Sequence, residues 1–264
     1  MTAVTASAGH QPMKSLHFAH HVNRWPHLAT RLNDSRKKLV IIMSCISLSS
    51  PTLAVAETAL ESHEGLAEVR IDLLRTNGFS DDDLRAVFRC RPLMRKISTC
   101  RAVGDGGDGF GAERMRLLKL GMEEGAAYVD VEIEAPAAYI ADIVAFAAAR
   151  SPACVVVVSY HNYEATPSAA ELREIVDRCF ALGAGVAKVA VKAETTRDVA
   201  RVLALYDDER VVVALAMGAV GVISRVAAPL LGAPFTFVAA SAAEATAPGQ
   251  LTSKQMARTL EAMQ

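Results

Sequence analysis

Short apolar runs recur along the chain at 39–45 (LVIIMSC), 67–72 (AEVRID), 94–100 (MRKISTC), 127–133 (AYVDVEI), 154–159 (CVVVVS), 186–191 (VAKVAV), 211–216 (VVVALA) and 235–239 (FTFVA). Each has the length of a strand, and helical patterns lie between them. The clearest of these is 168–182, where Leu172, Ile175, Val176, Cys179 and Phe180 repeat at the spacing of one buried helix face. It opens on Thr166, Pro167 and Ser168, with Glu171 three residues beyond the serine, which is a capping pattern. A last helix is predicted over 252–263. Strand–helix alternation implies a parallel sheet, and eight units in roughly 225 residues match a closed (β/α)8 TIM barrel over 37–264. A doubly wound open sheet is the competing architecture. Closure is favoured because polar residues fall within or just after the strands, where a barrel gathers them around one pocket at its C-terminal mouth.

Residues 1–36 differ in kind. They hold five of the seven histidines and show no periodicity, so they are expected to form a mobile extension. "HFAHH" lacks the cysteine or carboxylate partners of a metal site, and no metal is expected there. Residues 36–56 have a basic start, an apolar stretch and an A-x-A, the composition of a secretory signal. The basic group begins only at Arg36, however, behind a long polar leader, and cleavage would remove the first strand. The segment is therefore expected to belong to the barrel of a cytoplasmic protein. No other apolar run approaches the length of a membrane span.

A net charge of -1 gives no bulk case for nucleic acid. Five cysteines without a C-x-x-C pair suit reduced, buried thiols rather than a disulfide framework.

Within this frame one residue is out of place. Lys188 stands in the middle of the apolar run 186–191, where an unpaired ammonium would be costly. It is either a buried partner for Asp130 or Glu132, or an amine that burial strips of its proton and turns into a nucleophile toward carbonyls. Lys192 shares its parity but falls at the strand end, where solvation is easier. In "EVRID", Glu68, Arg70 and Asp72 share one face by the period of two and should point into the barrel. An internal salt-bridge network is the simpler reading of Asp72, Asp130 and Glu132.

His161 follows the fifth run by two residues. A loop histidine is commonly inert, but a barrel places proton-transfer groups at this position. After the seventh run, Arg225 can offer a planar fork to a carboxylate. Gln250 stands on a Pro-Gly turn after the eighth. A cation, an amine and an imidazole at one mouth imply a small anionic carbonyl compound. "GDGGDG" at 104–109 fits G-x-G-x-x-G, yet Asp105 and Asp108 would repel a pyrophosphate and the carboxylates lack calcium-loop spacing; it reads as a mouth loop.

The motifs "EVRID", "STCRAVGDGG", "YVDVEIE", "VVVSYHNYEATPS", "VAKVA", "MGAVGVISR" and "TAPGQ" occur in an order that resembles type I 3-dehydroquinate dehydratase. The likeness runs from about residue 37 to the C-terminus and is nearest the plant-like branch, in which this enzyme is fused to shikimate dehydrogenase. The resemblance implies an imine between Lys188 and the C3 ketone of 3-dehydroquinate. His161 would take a C2 proton and return one to the departing C1 hydroxyl. It further implies that Arg225 and Gln250 hold the carboxylate region and that Glu68, Arg70 and Arg101 contact ring hydroxyls or order the pocket. Met217 matches a methionine lining the site. No cofactor is implied, and the family is commonly homodimeric. Asp105 replaces the family's usual Glu, which orients the histidine, with a side chain one methylene shorter. Thr246 replaces a common Ser and keeps the hydroxyl. Two other readings remain: another imine-forming barrel such as an aldolase, and a degenerate ligand-sensing regulator.

Overall fold

The computed structural model describes residues 44–101, 111–247 and 249–262. The expected extension 1–36, residues 39–43 of the first run and the loop bearing Asp105 lie outside them. Strands and helices alternate as β1 (Ser44–Leu48), α1 (Leu53–Glu61), β2 (Leu66–Arg70), α2 (Ile71–Thr76), α3 (Asp81–Arg89), β3 (Lys96–Thr99), α4 (Ala112–Glu123), β4 (Tyr128–Glu132) and α5 (Ala137–Ala148). They continue as β5 (Val155–Asn162), α6 (Ala169–Ala181), β6 (Val186–Lys192), α7 (Thr196–Leu203), β7 (Val212–Met217), α8 (Val222–Leu231), β8 (Thr236–Val238) and α9 (Ser253–Ala262). All ladders are parallel. β1 bonds to both β2 and β8, so the sheet wraps into a nearly closed (β/α)8 barrel whose two edges are β7 and β8.

Alternation along each strand sorts its side chains. Val129, Val131, Val156, Val158, Ala187, Val189 and Val191 join helix residues such as Leu172, Val176 and Cys179 in the apolar layer. Each buried valine or leucine among them contributes about 1.5–3 kcal/mol. The opposite parity fills the barrel. Tyr128 and Phe235 close its floor edge to face, with ring centroids 5.4 Å apart, and the Arg95 guanidinium covers Tyr128 at 4.6 Å. α6 begins as expected: Ser168 caps it, and Glu171 returns the bond in a capping box.

Two boundaries differ from the pattern in ways that matter. β2 ends at Arg70 and turns directly into α2, so Asp72 leaves the strand face it was expected to share with Glu68 and Arg70. The reason is local: Arg70 grips both Asp72 carboxylate oxygens, at 3.0 and 2.6 Å, and the chain turns helical between them. β5 runs three residues beyond the apolar run, pairing with β6 as far as Asn162 opposite Val191. His161 is thus on the strand rather than after it.

Candidate active site

The register of β5 on β6 sets Ser159 opposite Lys188 and His161 opposite Ala190, which places the imidazole one inward layer above the amine. Below it lies a buried polar network centred on Asp130. Lys188 Nζ donates to Asp130 Oδ2 at 2.9 Å and lies 3.6 Å from Glu68 Oε1. Arg101 donates to both Asp130 oxygens at 2.8 Å, and Ser159 Oγ donates to Oδ1 at 2.6 Å. Glu68 accepts from Ser47 at 2.6 Å and Thr99 at 3.1 Å. Burial pushes the Asp130 carboxyl up, but Arg101 and Lys188 outweigh it and hold the group far below the usual carboxylate range. Glu68 is lowered in the same way, its burial overcome by Lys188, Arg70 and Arg101.

The surroundings of Lys188 differ from an apolar strand interior. Two carboxylates and the face of Phe237, 4.4 Å from Nζ, surround the nitrogen. Of the two readings of Lys188, the contacts match the buried partner of Asp130, at 2.9 Å. The expectation that Asp130 and Glu132 serve internal ion pairs holds, since Glu132 lies 3.5 Å from Arg101 and 3.0 Å from Arg114. Lys192, at the end of β6, is half exposed and pairs with Glu194 at 2.9 Å.

His161 is half-buried, and desolvation of its ring, reinforced by the nearby Arg101 and Lys188 charges, pushes its pKa well below the ordinary histidine value. The ring is therefore uncharged at neutral pH. Tyr163 lies nearly parallel to it, with centroids 6.2 Å apart and 12° between planes. Asn162 shapes that turn: its Oδ1 accepts from the N–H groups of Glu164 and Ala165, each at 2.9 Å.

The rim opposite is built by backbone contact. Gly249 has φ +74°, and a Cβ there would meet the Gly218 carbonyl at 2.5 Å, so the loops after β7 and β8 touch main chain to main chain. Gln250 Oε1 accepts from the Thr246 N–H at 2.8 Å and Oγ1 at 3.3 Å. A backbone N–H can only donate, so the amide NH2 of Gln250 is the end left to recognise a ligand. Arg225 is buried, makes no ion pair among the described residues, and has an unbonded Nε. Burial lowers its pKa to about 10.

One cavity of about 60 Å³, partly open to solvent, collects Glu68, Arg70, Arg101, His161, Lys188, Met217, Arg225, Thr246 and Gln250. These are the residues singled out in the sequence, apart from Asp105, which lies outside the described residues. Ser47, Tyr163 and Phe237 also line it and were missed. Ser47 and Phe237 carry a parity signal, since both fall on inward positions of their strands. Tyr163 follows the strand and has none. Among the described residues, no group of three or more His, Cys, Asp or Glu side chains is arranged to hold a metal ion.

A sequence model of the type I 3-dehydroquinase family matches residues 44–264. The chain belongs to that family. As a type I 3-dehydroquinase it is a hydro-lyase, and its relatives span domains of life. It is 36% identical over 210 residues to the 3-dehydroquinate dehydratase of Methanopyrus kandleri, covering 78% of this chain and 91% of that one. It is 33% identical over 232 residues to the chloroplastic bifunctional 3-dehydroquinate dehydratase/shikimate dehydrogenase of Arabidopsis thaliana. That match takes in 85% of this chain but only 37% of the plant protein. Among solved structures, the type I 3-dehydroquinate dehydratase of Clostridium difficile superposes with a TM-score of 0.72 at 24% identity, covering 84% of this chain and 92% of that one, and supports the barrel fold. No helix among the described residues is long and apolar enough to cross a membrane.

Proposed function

We propose that the chain dehydrates 3-dehydroquinate to 3-dehydroshikimate, a step of the shikimate pathway, through an imine on Lys188 with His161 as acid and base. The observation that carries this reading is the shared cavity: a buried amine and a neutral imidazole open into the same space, under a buried guanidinium that makes no ion pair among the described residues. Around it, Lys188, Arg70, Arg101 and Arg114 are met by Glu68, Asp72, Asp130 and Glu132. Among the described residues Arg225 is left over, and a substrate carboxylate balances it.

In the reaction, the lysine passes a proton to the neutral imidazole and its nitrogen attacks the C3 carbonyl. The C–N bond forms as the C=O π bond breaks; the imidazolium then returns its proton to the carbinolamine oxygen, which leaves as water and gives the protonated imine beside a neutral ring. Its positive nitrogen draws electrons from C2, so His161 can take the C2 proton. The C1–O bond then breaks, with the imidazolium returning a proton to the departing hydroxyl. Water hydrolyses the imine and frees the enone. Gln250 donates from the rim beside Arg225, Met217 and Phe237 bound the ring apolarly, and Glu68, Arg70 and Arg101 hold the floor in shape. Asp105 is assigned by the family pattern to orient His161, whose Nδ1 has no partner among the described residues.

The test is turnover of 3-dehydroquinate, followed by the ultraviolet absorption of the conjugated product. H161A is expected to lose dehydration by about 10²–10⁴-fold while still forming some imine. Turnover at the wild-type rate in H161A removes the histidine from the reaction.

We also infer a catalytic unit over 37–264, a homodimer and a reducing, cytoplasmic setting. The pairing is supported by Ile223, Leu230 and Leu231, exposed apolar residues of α8, and the setting by five free thiols. A monomeric mass by light scattering would remove the dimer.

A further inference from the structure

Asp130 has no part in the steps above, yet it is the most heavily bonded group in the site. Each of its oxygens takes two donors: Arg101 and Ser159 on Oδ1, Arg101 and Lys188 on Oδ2. It is 1% exposed, so this network replaces all of its hydration. We propose that Asp130 is the positioning residue that sets the charge of the lysine nitrogen, holding the ammonium in the empty site and the iminium once substrate is bound. This rests on the imine assigned to Lys188.

Other groups facing Lys188 are less suited to that part. Glu68, from β2, is 3.6 Å away and already takes hydroxyl bonds from Ser47 and Thr99 on its two oxygens. Cys45, from β1, is fully buried, and burial pushes its thiol well up, so it is uncharged. Arg101 after β3, Arg70 at the end of β2 and Arg225 on α8 are cations, and Glu132 on β4 is engaged by Arg114. His161 on β5 is neutral. From β7, Leu215 and Met217 bring no charge, and β8 offers the Phe237 ring.

The two duties of Asp130 pull the chemistry in opposite directions. Attack requires the amine to shed a proton, and a carboxylate at 2.9 Å opposes that. Withdrawal of the C2–H electrons requires a positive imine nitrogen, and the same carboxylate favours it. Asparagine has the same shape without the charge. In D130N, imine formation should therefore extend to lower pH while dehydration slows. A residue that only braced the fold would lower both together and leave the pH dependence where it was.

The experiment is reductive trapping with cyanoborohydride and 3-dehydroquinate across pH, read by intact mass, with single-turnover dehydration measured alongside. D130N is expected to move the trapping midpoint down by about one pH unit or more, with slower dehydration. S159A leaves the carboxylate charge less shared with a hydroxyl donor and is expected to move the midpoint up. A folded D130N with the wild-type midpoint overturns the assignment. Should D130N not fold, S159A decides: a rise supports the role of Asp130, and an unmoved midpoint overturns it. Failure of the wild-type protein to trap at any pH would instead strike the imine on Lys188, a distinct outcome.

Discussion

Lys96 and Lys188 are nearly equally hidden, 3% and 5% exposed, and each stands in a parallel strand of the same barrel. Lys96 opens β3, and its amine donates to main-chain carbonyls of Arg91 at 3.2 Å and Met94 at 3.4 Å. It makes no ion pair among the described residues, and burial pushes its pKa down to about 8. Lys188 has two carboxylates, an aromatic face and a cavity in front of it. A burial-lowered pKa would by itself mark Lys96 as a nucleophile. By geometry it can do nothing with a ketone, because it is outside the cavity that holds the imidazole. Burial changes a charge state; a site also needs room, a proton partner and a counter-charge that survives the reaction.

The largest effect that could break this comparison is at the amines themselves. K188M is expected to lose turnover by on the order of 10⁴-fold or more, whereas K96M should keep the wild-type kcat. Loss of activity in a folded K96M, or its survival in K188M, would reverse the roles of the two lysines.

Much of this contrast was legible in the sequence, and the rest was not for identifiable reasons. The alternation of eight apolar runs with helical segments specifies the barrel, and inward parity places Glu68, Lys188 and Met217 together. Lys188 stood out because its neighbours on both sides are apolar. Lys96 did not, because "MRKIST" mixes charges at a strand start and looks solvated. Distinguishing them needs partners far apart in the chain: Asp130, one of the two partners considered for Lys188, is 58 residues away, and no local pattern chooses it over Glu132. The same holds for the end of β2, where the Arg70–Asp72 grip overrode the period of two and carried Asp72 off the expected face.

A smaller effect belongs to the rim. Replacing Arg225 with Met removes the uncompensated guanidinium but neither reacting group. A charge-assisted contact of about 1.5–3 kcal/mol converts to an increase in KM on the order of 10–100-fold. Steady-state kinetics should show that rise with a lesser change in kcat; an unchanged KM would mean the substrate carboxylate is held elsewhere.

The smallest effect is on stability; its sign is the same in the two regions, and its pH window differs. His161 is held well below the ordinary histidine value of 6.5, so as pH falls below 6.5 the unfolded chain takes up a proton that the folded one refuses. Stability from this group therefore declines with acidification from pH 6.5, and H161Q should flatten that decline. Lys96 drops to about 8 from 10.5. Between those values the unfolded chain retains a proton the folded chain has released, so stability rises with pH across that window. K96M should remove the rise. Denaturant titrations at stepped pH check both, and parallel curves for wild type and K96M above pH 8 would contradict the buried, unpaired amine.

Covalent capture separates the two lysines most directly. The protein is incubated with 3-dehydroquinate and borohydride, digested, and mapped by mass spectrometry. One reduced adduct is expected, on the peptide carrying Lys188, with the Lys96 peptide unmodified and inactivation proportional to labelling. An adduct on Lys96, or undiminished turnover with no adduct on Lys188, would contradict the assignment of the reacting nitrogen.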